Sequence, residues 1–465
     1  MKRFSKNFIS ILLSDVGRRV FGFLTLAYLT RRISVGDFGA MSIGMTALSY
    51  AMMASSGGLS TFGTRAIARG ESLPLVSSIV SLRFVISFVA YLVLGTAAVL
   101  FVSNSLTIQF ILLFGLSLFP NALFLDWYFQ GKEHMGIIGI ARIISAIFYL
   151  VLILLFVHSP ENLFWVAIAA LIGDTLASAA FIVAYKRKTP YNKLRFDLGE
   201  WKSILSQAFP LGIGSILGHF SVNAPPIILG IMLTNTEVGI YSAAGKLVFF
   251  LLMFDRVFAN LLLPASTRLH AVSSDILSVM LRTAQKWIVV FALPLCVGGT
   301  LLADRILPFV FGSQYLAAAD TFRILVWYFF FTLVHTIFTS GLVAIGKEGI
   351  YGKVMILSAI VYGTTVILGT FLFGVNGAAG AMVFSEAATL ILMRRQFVQF
   401  VNLPMPLKVL VKSVVAVIFM SIAVLVFPTT HILLLVFFGG CVYTVAIFAL
   451  RAIIAADVAD LLRRV

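Results

Sequence analysis

Long apolar runs separated by short polar segments follow one another along the whole chain. A run of about 18 residues or more can cross a bilayer as a helix, whereas a membrane β-barrel needs shorter strands of alternating apolar and polar residues. The pattern therefore predicts an all-α polytopic membrane protein. Its fourteen predicted transmembrane helices lie at 9–30, 38–59, 74–102, 107–128, 137–157, 162–185, 203–233, 238–262, 283–303, 321–344, 350–373, 377–400, 408–428 and 430–452.

Composition excludes a soluble protein. Of the 465 residues, 60% are hydrophobic and 11% are charged, and the mean hydropathy is +1.06. A soluble domain of this composition would expose apolar surface on a scale that causes aggregation. The two cysteines, Cys296 and Cys441, fall within apolar runs, so the sequence indicates neither a disulfide framework nor a metal site.

The positive charges lie mainly in short loops between the predicted helices. The net charge is +16, but its dispersal in these loops indicates membrane topology rather than nucleic-acid binding. With both termini in the cytoplasm, 23 of the 34 Lys and Arg residues fall inside and four fall outside. Because short cytoplasmic loops carry the excess of Lys and Arg, this bias predicts a membrane protein with cytoplasmic N and C termini.

Two short sequences each occur twice. The stretch QGKEHMGIIGIARIISAIFYL at 130–150 resembles IGKEGIYGKVMILSAIVYG at 345–363, and DFGAMS at 37–42 resembles EVGIYS at 237–242. In each case the copies are six predicted helices apart, which predicts two six-helix lobes related by a pseudo-twofold axis along the membrane normal. The predicted domains are an N-terminal lobe at 1–185, a basic cytoplasmic linker at 186–202, a C-terminal lobe at 203–400 and two additional helices at 401–465.

A family resemblance rests on motifs in order along the chain. They are VGDFG at 35–39, GGLSTFGTRAIARG at 57–70, WYFQGKE at 127–133, EVGIYSAAGKL at 237–247, FGSQYLAAADTFRIL at 311–325 and NGAAGAMVFSE at 376–386. The chain resembles the polysaccharide transport family of Wzx-type flippases, within the multidrug/oligosaccharidyl-lipid/polysaccharide exporter superfamily. The resemblance implies transport of an undecaprenyl-diphosphate-linked oligosaccharide, as for O-antigen or capsule, by alternating access between two lobes.

Positive charges inside the predicted helices are candidate ligands for the diphosphate. An arginine near the centre of a membrane helix costs at least about 2.5 kcal/mol, and its guanidinium can bind phosphate oxygens bidentately. Arg142 has Met355 at the equivalent place of the second copy, so the fold does not require that charge. The predicted cationic cavity between the lobes comprises Arg18, Arg19, Arg83, Arg142, Lys246 and Arg256.

Embedded acids and histidines are candidates for ion coupling or for charge balance. They are Asp15, Asp174, Glu386, His219 and His335. Asp15 can pair with Arg18 and Arg19 on one helix face, and Asp255 with Arg256 is interpreted as a structural or loop-proximal pair. A buried histidine is more often a satisfied hydrogen-bonding residue than a titrating one.

Proline and aromatic residues suggest a hinge and an interface. Pro210, Pro225 and Pro226 predict a broken or bending seventh helix, since proline removes a backbone donor. Trp127 and Tyr128 fit an interfacial aromatic belt at least as well as a sugar-stacking platform.

Two other functions are weighed against the flippase. A cation-coupled drug exporter of the same superfamily would be expected to have an acid-rich cavity. An O-antigen polymerase or ligase would be expected to have a large periplasmic loop, and no predicted outside loop exceeds about fifteen residues. The sequence thus predicts a non-enzymatic flippase without catalytic residues, metal or cofactor, except for H⁺ or Na⁺ as a coupling ion. Its expected partners are the lipid-linked oligosaccharide, membrane lipids and a polysaccharide polymerase or chain-length complex, and a monomer is expected.

Overall fold

The computed structural model describes Gly17 and residues 20–70, 74–187, 189, 196–427 and 431–452. These residues form helices and connecting turns, and no β-strand occurs among them. The helices are α1 (Val20–Thr30), α2 (Val35–Ala68), α3 (Pro74–Phe101), α4 (Ser105–Gly115), α5 (Leu118–Ala122), α6 (Asp126–Gly131), α7 (Met135–Phe156), α8 (Trp165–Lys186), α9 (Leu198–Asn223), α10 (Pro225–Met232), α11 (Asn235–His270), α12 (Ser274–Leu301), α13 (Ala303–Phe311), α14 (Ala319–Ala344), α15 (Glu348–Phe397), α16 (Leu407–Val426) and α17 (Ile432–Ala449).

The helix lengths confirm the fold class. Within the described residues, ten helical stretches are long and apolar enough to cross a membrane. One of them, α15, contains two predicted spans, because its 50 residues are interrupted at Gly374, whose φ is 58° and ψ is −138°. Glycine adopts this backbone conformation without the steric cost that a side chain would add. The observed architecture is therefore that of an all-helical multi-pass membrane protein.

The chain divides into two compact units. Unit 1 extends to Ser242 and unit 2 begins at Ala243, so the division falls within α11. In unit 1, the predicted interfacial position of Trp127 and Tyr128 is wrong, since these side chains are 1% and 4% exposed and belong to the core. Gly63 permits this packing: a Cβ there would lie 2.4 Å from the Trp127 ring. The predicted domain limits at 185, 203 and 400 remain a prediction.

The two additional C-terminal helices pack within unit 2. Residues Ala416, Val417 and Met420 of α16 form a core cluster with Val290 and Leu293 of α12. The Tyr443 hydroxyl on α17 donates a 2.7 Å hydrogen bond to the Val290 carbonyl. Burial of apolar surface and this hydrogen bond attach α16 and α17 to α12.

The predicted fourth span is not one continuous helix. It forms α4, α5 and α6, with breaks after Gly115 and after Ala122. Such breaks leave backbone carbonyls without their helical partners, and a membrane protein must satisfy these groups internally. The Ser178 hydroxyl on α8 donates a 2.6 Å hydrogen bond to the Pro120 carbonyl. Pro120 was the sequence signal for this interruption, because proline disfavours a continuous helix.

Candidate functional site

Arg83 lies on α3 beside the interrupted segment and is 2% exposed. Its Nη1 donates to the Phe124 carbonyl at 2.9 Å, and its Nη2 donates to the Asn121 carbonyl at 3.0 Å. A buried charge is tolerated when hydrogen bonds replace its hydration. Arg83 therefore stabilises the break between α5 and α6 in this structure, and its contact with a substrate remains a prediction.

Arg142 lies on α7 and forms an ion pair with Asp126 at the start of α6. Its Nη2 is 3.4 Å from Asp126 Oδ2, and the two side chains are 38% and 32% exposed. The other oxygen of Asp126 accepts a 2.9 Å hydrogen bond from the Trp127 N–H, which fixes the carboxylate at the beginning of α6. More than a third of the Arg142 side-chain surface is exposed, so the ion pair with Asp126 is only partly buried.

A group of three titratable side chains and two threonines lies in the membrane-spanning part of unit 2. His335 Nδ1 on α14 is 3.0 Å from Glu386 Oε1 on α15, and the two side chains are 12% and 14% exposed. One turn along α14, Thr339 Oγ1 is 2.9 Å from His335 Nε2. The neighbouring Thr336 hydroxyl donates to Asp255 Oδ1 on α11. This polar cluster, comprising Asp255, His335, Thr336, Thr339 and Glu386, joins three helices.

The hydrogen bonds of the polar cluster are compatible with two protonation states of His335. A neutral imidazole can donate from Nδ1 to the Glu386 carboxylate and accept at Nε2 from the Thr339 hydroxyl. When His335 is doubly protonated, Nε2 can instead donate to the same hydroxyl, because a hydroxyl is both donor and acceptor. The cluster can thus gain or lose a proton without losing a hydrogen-bond partner.

The remaining predicted residues are dispersed. Lys246 and Arg256 on α11 are exposed, and Asp174 on α8 is half-buried. Arg256 lies within electrostatic reach of Asp255, although Asp255 bonds to Thr336. The other four predicted charged or titratable positions fall outside the described residues or side chains: Asp15, Arg18, Arg19 and the side chain of His219.

The predicted proline hinge coincides with a change of helix. Pro210 lies within α9, which ends at Asn223. Pro225 and Pro226 occupy the first positions of α10, where a missing N–H leaves no helical hydrogen bond unmade. Whether this junction bends during function remains a prediction.

A groove of about 960 Å³ lies in unit 1 between α2, α3, α4 and α10. Ala51, Val93 and Ile231 contribute to its apolar walls, and at one end the Asn235 amide donates a 3.0 Å hydrogen bond to the Thr107 hydroxyl. None of the described residues that line it is charged. This groove therefore differs in chemistry from the predicted cationic cavity.

Two acids of these sites, Asp126 and Asp255, are not among the predicted ion-coupling residues. Asp126 lies at the predicted inner end of a span rather than deep within it. Asp255 was paired with Arg256, but its hydrogen-bond partner is Thr336, 81 residues away in sequence. The signal for Asp255 was its position inside the apolar run FFLLMFDRVF, since an acid within a membrane helix is a functional candidate by default.

Two solved structures of membrane transporters have the same fold as this chain. A lipid II flippase, MurJ, in an inward closed conformation superposes with a TM-score of 0.77 at 14% identity, covering 94% of this chain and 98% of that one. An inward-facing multidrug resistance MATE family transporter of the MOP superfamily gives 0.65 at 12% identity, over 82% and 95% of the two chains. The protein therefore has the helical membrane fold that these two transporters share.

The sequence comparison gives the family. The model of the polysaccharide biosynthesis protein family matches residues 4–270, and this chain belongs to that family. A candidate O-antigen transporter of Shigella dysenteriae is 24% identical over 406 residues, which are 83% of this chain and 98% of the relative. A candidate low-salt glycan biosynthesis flippase, Agl15, of Haloferax volcanii is 24% identical over 239 residues, half of each chain.

These relatives confirm the predicted family and the prediction of a transporter in polysaccharide biosynthesis. They are described as transporters and flippases rather than as enzymes.

Proposed function

We propose that this chain is a flippase that moves an oligosaccharide linked to undecaprenyl diphosphate from the cytoplasmic to the periplasmic leaflet. The observation that carries the proposal is the match to a candidate O-antigen transporter over 98% of its length. The structural similarity to a lipid II flippase supports it, because both named activities handle a sugar attached to a membrane lipid. The protein lies in the bacterial inner membrane with cytoplasmic termini, as the distribution of Lys and Arg favours.

The proposed architecture has fourteen membrane crossings. Ten stretches qualify by length and hydropathy within the described residues, and α15 supplies two crossings because Gly374 divides it. Three further crossings are α1, α2 and the pair α9–α10. The helix α1 is described only from Val20, and α9–α10 is interrupted at Ala224. These helices form two lobes of six, followed by α16 and α17.

The contact between two repeated motifs supports the internal symmetry. Ser34 and Asp37 form a reciprocal cap at the start of α2, and Thr234 and Glu237 form one at the start of α11, 200 residues later. Equivalent glycines follow them: a Cβ at Gly39 would lie 1.8 Å from the Asn235 carbonyl oxygen, and one at Gly239 would lie 2.0 Å from the Val35 oxygen. Gly39 contacts Asn235, which is four positions before Gly239, and Gly239 contacts Val35, which is four positions before Gly39. Such reciprocal contacts are expected of two segments related by a twofold axis.

Replacement of Gly39 by alanine tests this contact. Gly39→Ala should lower stability by about 1–3 kcal/mol, since a methyl group cannot fit against a backbone carbonyl without separating the helices. Gly36→Ala is the matched control, because its Cβ would lie 3.2 Å from the Thr236 side chain, which can adjust. Thermal unfolding of the purified proteins measures the difference. Equal stability of the two variants would contradict the close approach of α2 and α11.

Alternating access would expose the substrate site to each side in turn, with embedded cations attracting the diphosphate. Arg142, Lys246 and Arg256 support this role, because each has an exposed side chain or one more than a third exposed. Arg18 and Arg19 are included in the proposed cationic surface because they lie within the first predicted transmembrane helix. The polymerase or chain-length complex would receive the translocated oligosaccharide, and the flippase would act as a monomer.

We assign ion coupling to the polar cluster of unit 2, with H⁺ as the ion. The support is geometric: the His335 imidazole lies between the Glu386 carboxylate and the Thr339 hydroxyl, and the hydroxyl can donate or accept. Asp255, which bonds to Thr336 next to His335, adds a third titratable group. Protonation would place a positive charge on His335 beside the Glu386 carboxylate, so it would strengthen the contact between α14 and α15 while every hydrogen-bond partner is kept. Such a change of contact between helices is what alternating access needs.

Reconstitution of the purified protein tests the proposed activity. Proteoliposomes would contain a fluorescent undecaprenyl-diphosphate oligosaccharide, and a membrane-impermeant enzyme would report its appearance in the opposite leaflet. Transport should require the protein and increase with a proton gradient. In cells, loss of the gene should cause the lipid-linked oligosaccharide to accumulate in the cytoplasmic leaflet.

A drug exporter is the second candidate, because the fold is also that of a MATE transporter. Export would make cells lacking the gene sensitive to a cationic drug without accumulation of lipid-linked sugar. Drug sensitivity without accumulation of the lipid-linked sugar would contradict the flippase proposal and support a drug exporter.

A further inference from the structure

A second pocket, of about 400 Å³, lies in unit 2 where α16 joins α12, α14 and α15. Its apolar wall includes Phe330, Phe331, Phe338 and Leu390. Its polar lining consists of Arg394 and Arg395 in the last turn of α15 and Gln285 on α12. The pocket thus combines two cations with an aromatic surface.

Two buried polar atoms of this pocket have no hydrogen-bond partner among the described residues. Among the described residues, neither arginine has a carboxylate within ion-pair distance, and the buried Nε of Arg394 makes no hydrogen bond. Gln285 is 4% exposed, and its side-chain oxygen has no hydrogen-bond partner either. Buried polar groups are nearly always satisfied, so these groups indicate a bound ligand that supplies acceptors for the arginines. The amide of Gln285 can present a donor or an acceptor to it.

The start of α16 adds to the positive potential. This helix begins at Leu407, which lines the pocket, and no side chain caps it at Pro406. The Leu407 N–H already donates to the Met405 carbonyl at 2.9 Å, so the contribution of this helix end is the partial positive charge that helix N-termini carry. Two arginines and this helix end together favour an anion with several acceptor oxygens, such as a phosphate.

The rim of the pocket opens toward the bilayer. Ile391, Met405 and Leu407 all line it and are 53%, 54% and 60% exposed. Ile391 lies on α15 and Leu407 begins α16, and both helices are long and apolar enough to cross a membrane. Exposed apolar side chains on such helices are expected to contact lipid, so we expect an acyl chain to reach the phenylalanine wall from the bilayer. A volume of 400 Å³ is near the low end for ligand pockets, and it leaves little room for an oligosaccharide beside a phosphate.

We infer that this pocket binds an anionic glycerophospholipid of the bilayer. Its phosphate would lie between Arg394 and Arg395, and an acyl chain would extend along Phe330 and Phe331. Such a lipid would connect α16 to the end of α15, and its phosphate would accept a hydrogen bond from the buried Nε of Arg394. The inference does not depend on the transported substrate.

Lipid binding to the purified protein tests the site by native mass spectrometry. The probes are phosphatidylglycerol, phosphatidylcholine with the same acyl chains and undecaprenyl phosphate, each added to protein in a neutral detergent. Phosphatidylglycerol should bind most tightly. The variant Arg394→Gln/Arg395→Gln should bind it at least about tenfold more weakly, since charge-assisted hydrogen bonds to phosphate are lost.

The matched control removes two exposed cations elsewhere in unit 2. Arg268→Gln/Lys353→Gln changes the net charge by the same amount and should bind within about twofold of the wild type. Met405→Trp keeps all charges and fills the rim, so it should also lose phosphatidylglycerol. This variant serves if the double arginine variant fails to fold.

Three results would overturn the inference. They are equal binding of phosphatidylglycerol and phosphatidylcholine, equal loss in the control variant, and tighter binding of undecaprenyl phosphate than of phosphatidylglycerol. The last result would indicate a site for a polyprenyl carrier instead.

Discussion

Arg83 in unit 1 and the His335–Glu386 pair in unit 2 are both buried polar sites within the membrane-spanning part of the chain, but their partners differ. Arg83 donates to two backbone carbonyls, which cannot change protonation. His335 contacts a carboxylate and a hydroxyl, both on side chains. A charge bonded to backbone stabilises one conformation, whereas a titratable pair between helices can change state. Burial alone therefore does not distinguish a structural charge from a functional one; the partner does.

The largest effect on stability is expected when Arg83 is replaced by an uncharged residue. Arg83→Met should lower stability by roughly 3 kcal/mol, because it removes two charge-assisted hydrogen bonds and leaves the Phe124 carbonyl unpaired. Protein abundance in the membrane and thermal unfolding measure this loss. Ser178→Ala is the control, since it removes one neutral hydrogen bond to the same segment at a cost of about 1 kcal/mol. Normal abundance of Arg83→Met together with lost transport would indicate a substrate-binding role instead.

Replacement of Glu386 is expected to reduce transport rather than stability. Glu386→Gln should reduce proton-driven transport at least about tenfold, equivalent to about 1.4 kcal/mol of coupling, because the amide cannot take up a proton. Abundance should stay near that of the wild type, since the Gln carbonyl can still accept from His335 Nδ1. Transport with and without a pH gradient in proteoliposomes separates the two properties. A variant that remains gradient-dependent would remove Glu386 from the coupling site.

A smaller effect on stability is expected at Arg142. Its ion pair with Asp126 is partly exposed and screened, so Arg142→Ala and Asp126→Asn should each cost no more than about 1 kcal/mol. Transport should distinguish them: loss in Arg142→Ala with retention in Asp126→Asn indicates that the guanidinium binds the substrate. Equal transport by both variants would mean that the ion pair has only a structural role.

The sequence predicted the fold class, the family and the location of most helices, because apolar runs and ordered motifs are local properties. It also selected His335 and Glu386, since both lie deep within their helices. It could not show that they meet, because they are 51 residues apart in the chain. Pro120 signals the interruption at α5, but hydrophobicity does not, because the residues around it are as apolar as those of a continuous helix. The contacts of Arg83 with the Asn121 and Phe124 carbonyls could not be predicted, because these residues are 38 and 41 positions away in sequence.

The repeated Gly-Lys-Glu motif also shows a limit of prediction from sequence, here for the equivalence of single residues. Both copies form the turn into the next helix, and both turns contain a left-handed residue, Glu133 with φ 57° and Gly346 with φ 72°. These two residues are 213 positions apart, as are the matching runs IISAIFY and ILSAIVY, whereas the Gly-Lys-Glu letters are 215 apart. The left-handed residue of each turn therefore keeps a fixed distance from the helix that comes after it. The identical Gly-Lys-Glu residues are shifted by two positions and are not structurally equivalent.

The smallest effect is expected at Thr339, and it tests whether the hydroxyl merely adjusts to His335. Thr339→Val keeps the shape of the side chain but removes the 2.9 Å contact with His335 Nε2. Stability should fall by about 1 kcal/mol, the usual value of one neutral hydrogen bond. Proton-driven transport should fall by no more than about threefold, because the essential partner of His335 is the Glu386 carboxylate. A loss as large as that of Glu386→Gln would show that the hydroxyl belongs to the proton pathway. The site to be contrasted with Arg83 would then be a chain of three groups, Thr339, His335 and Glu386, rather than a pair.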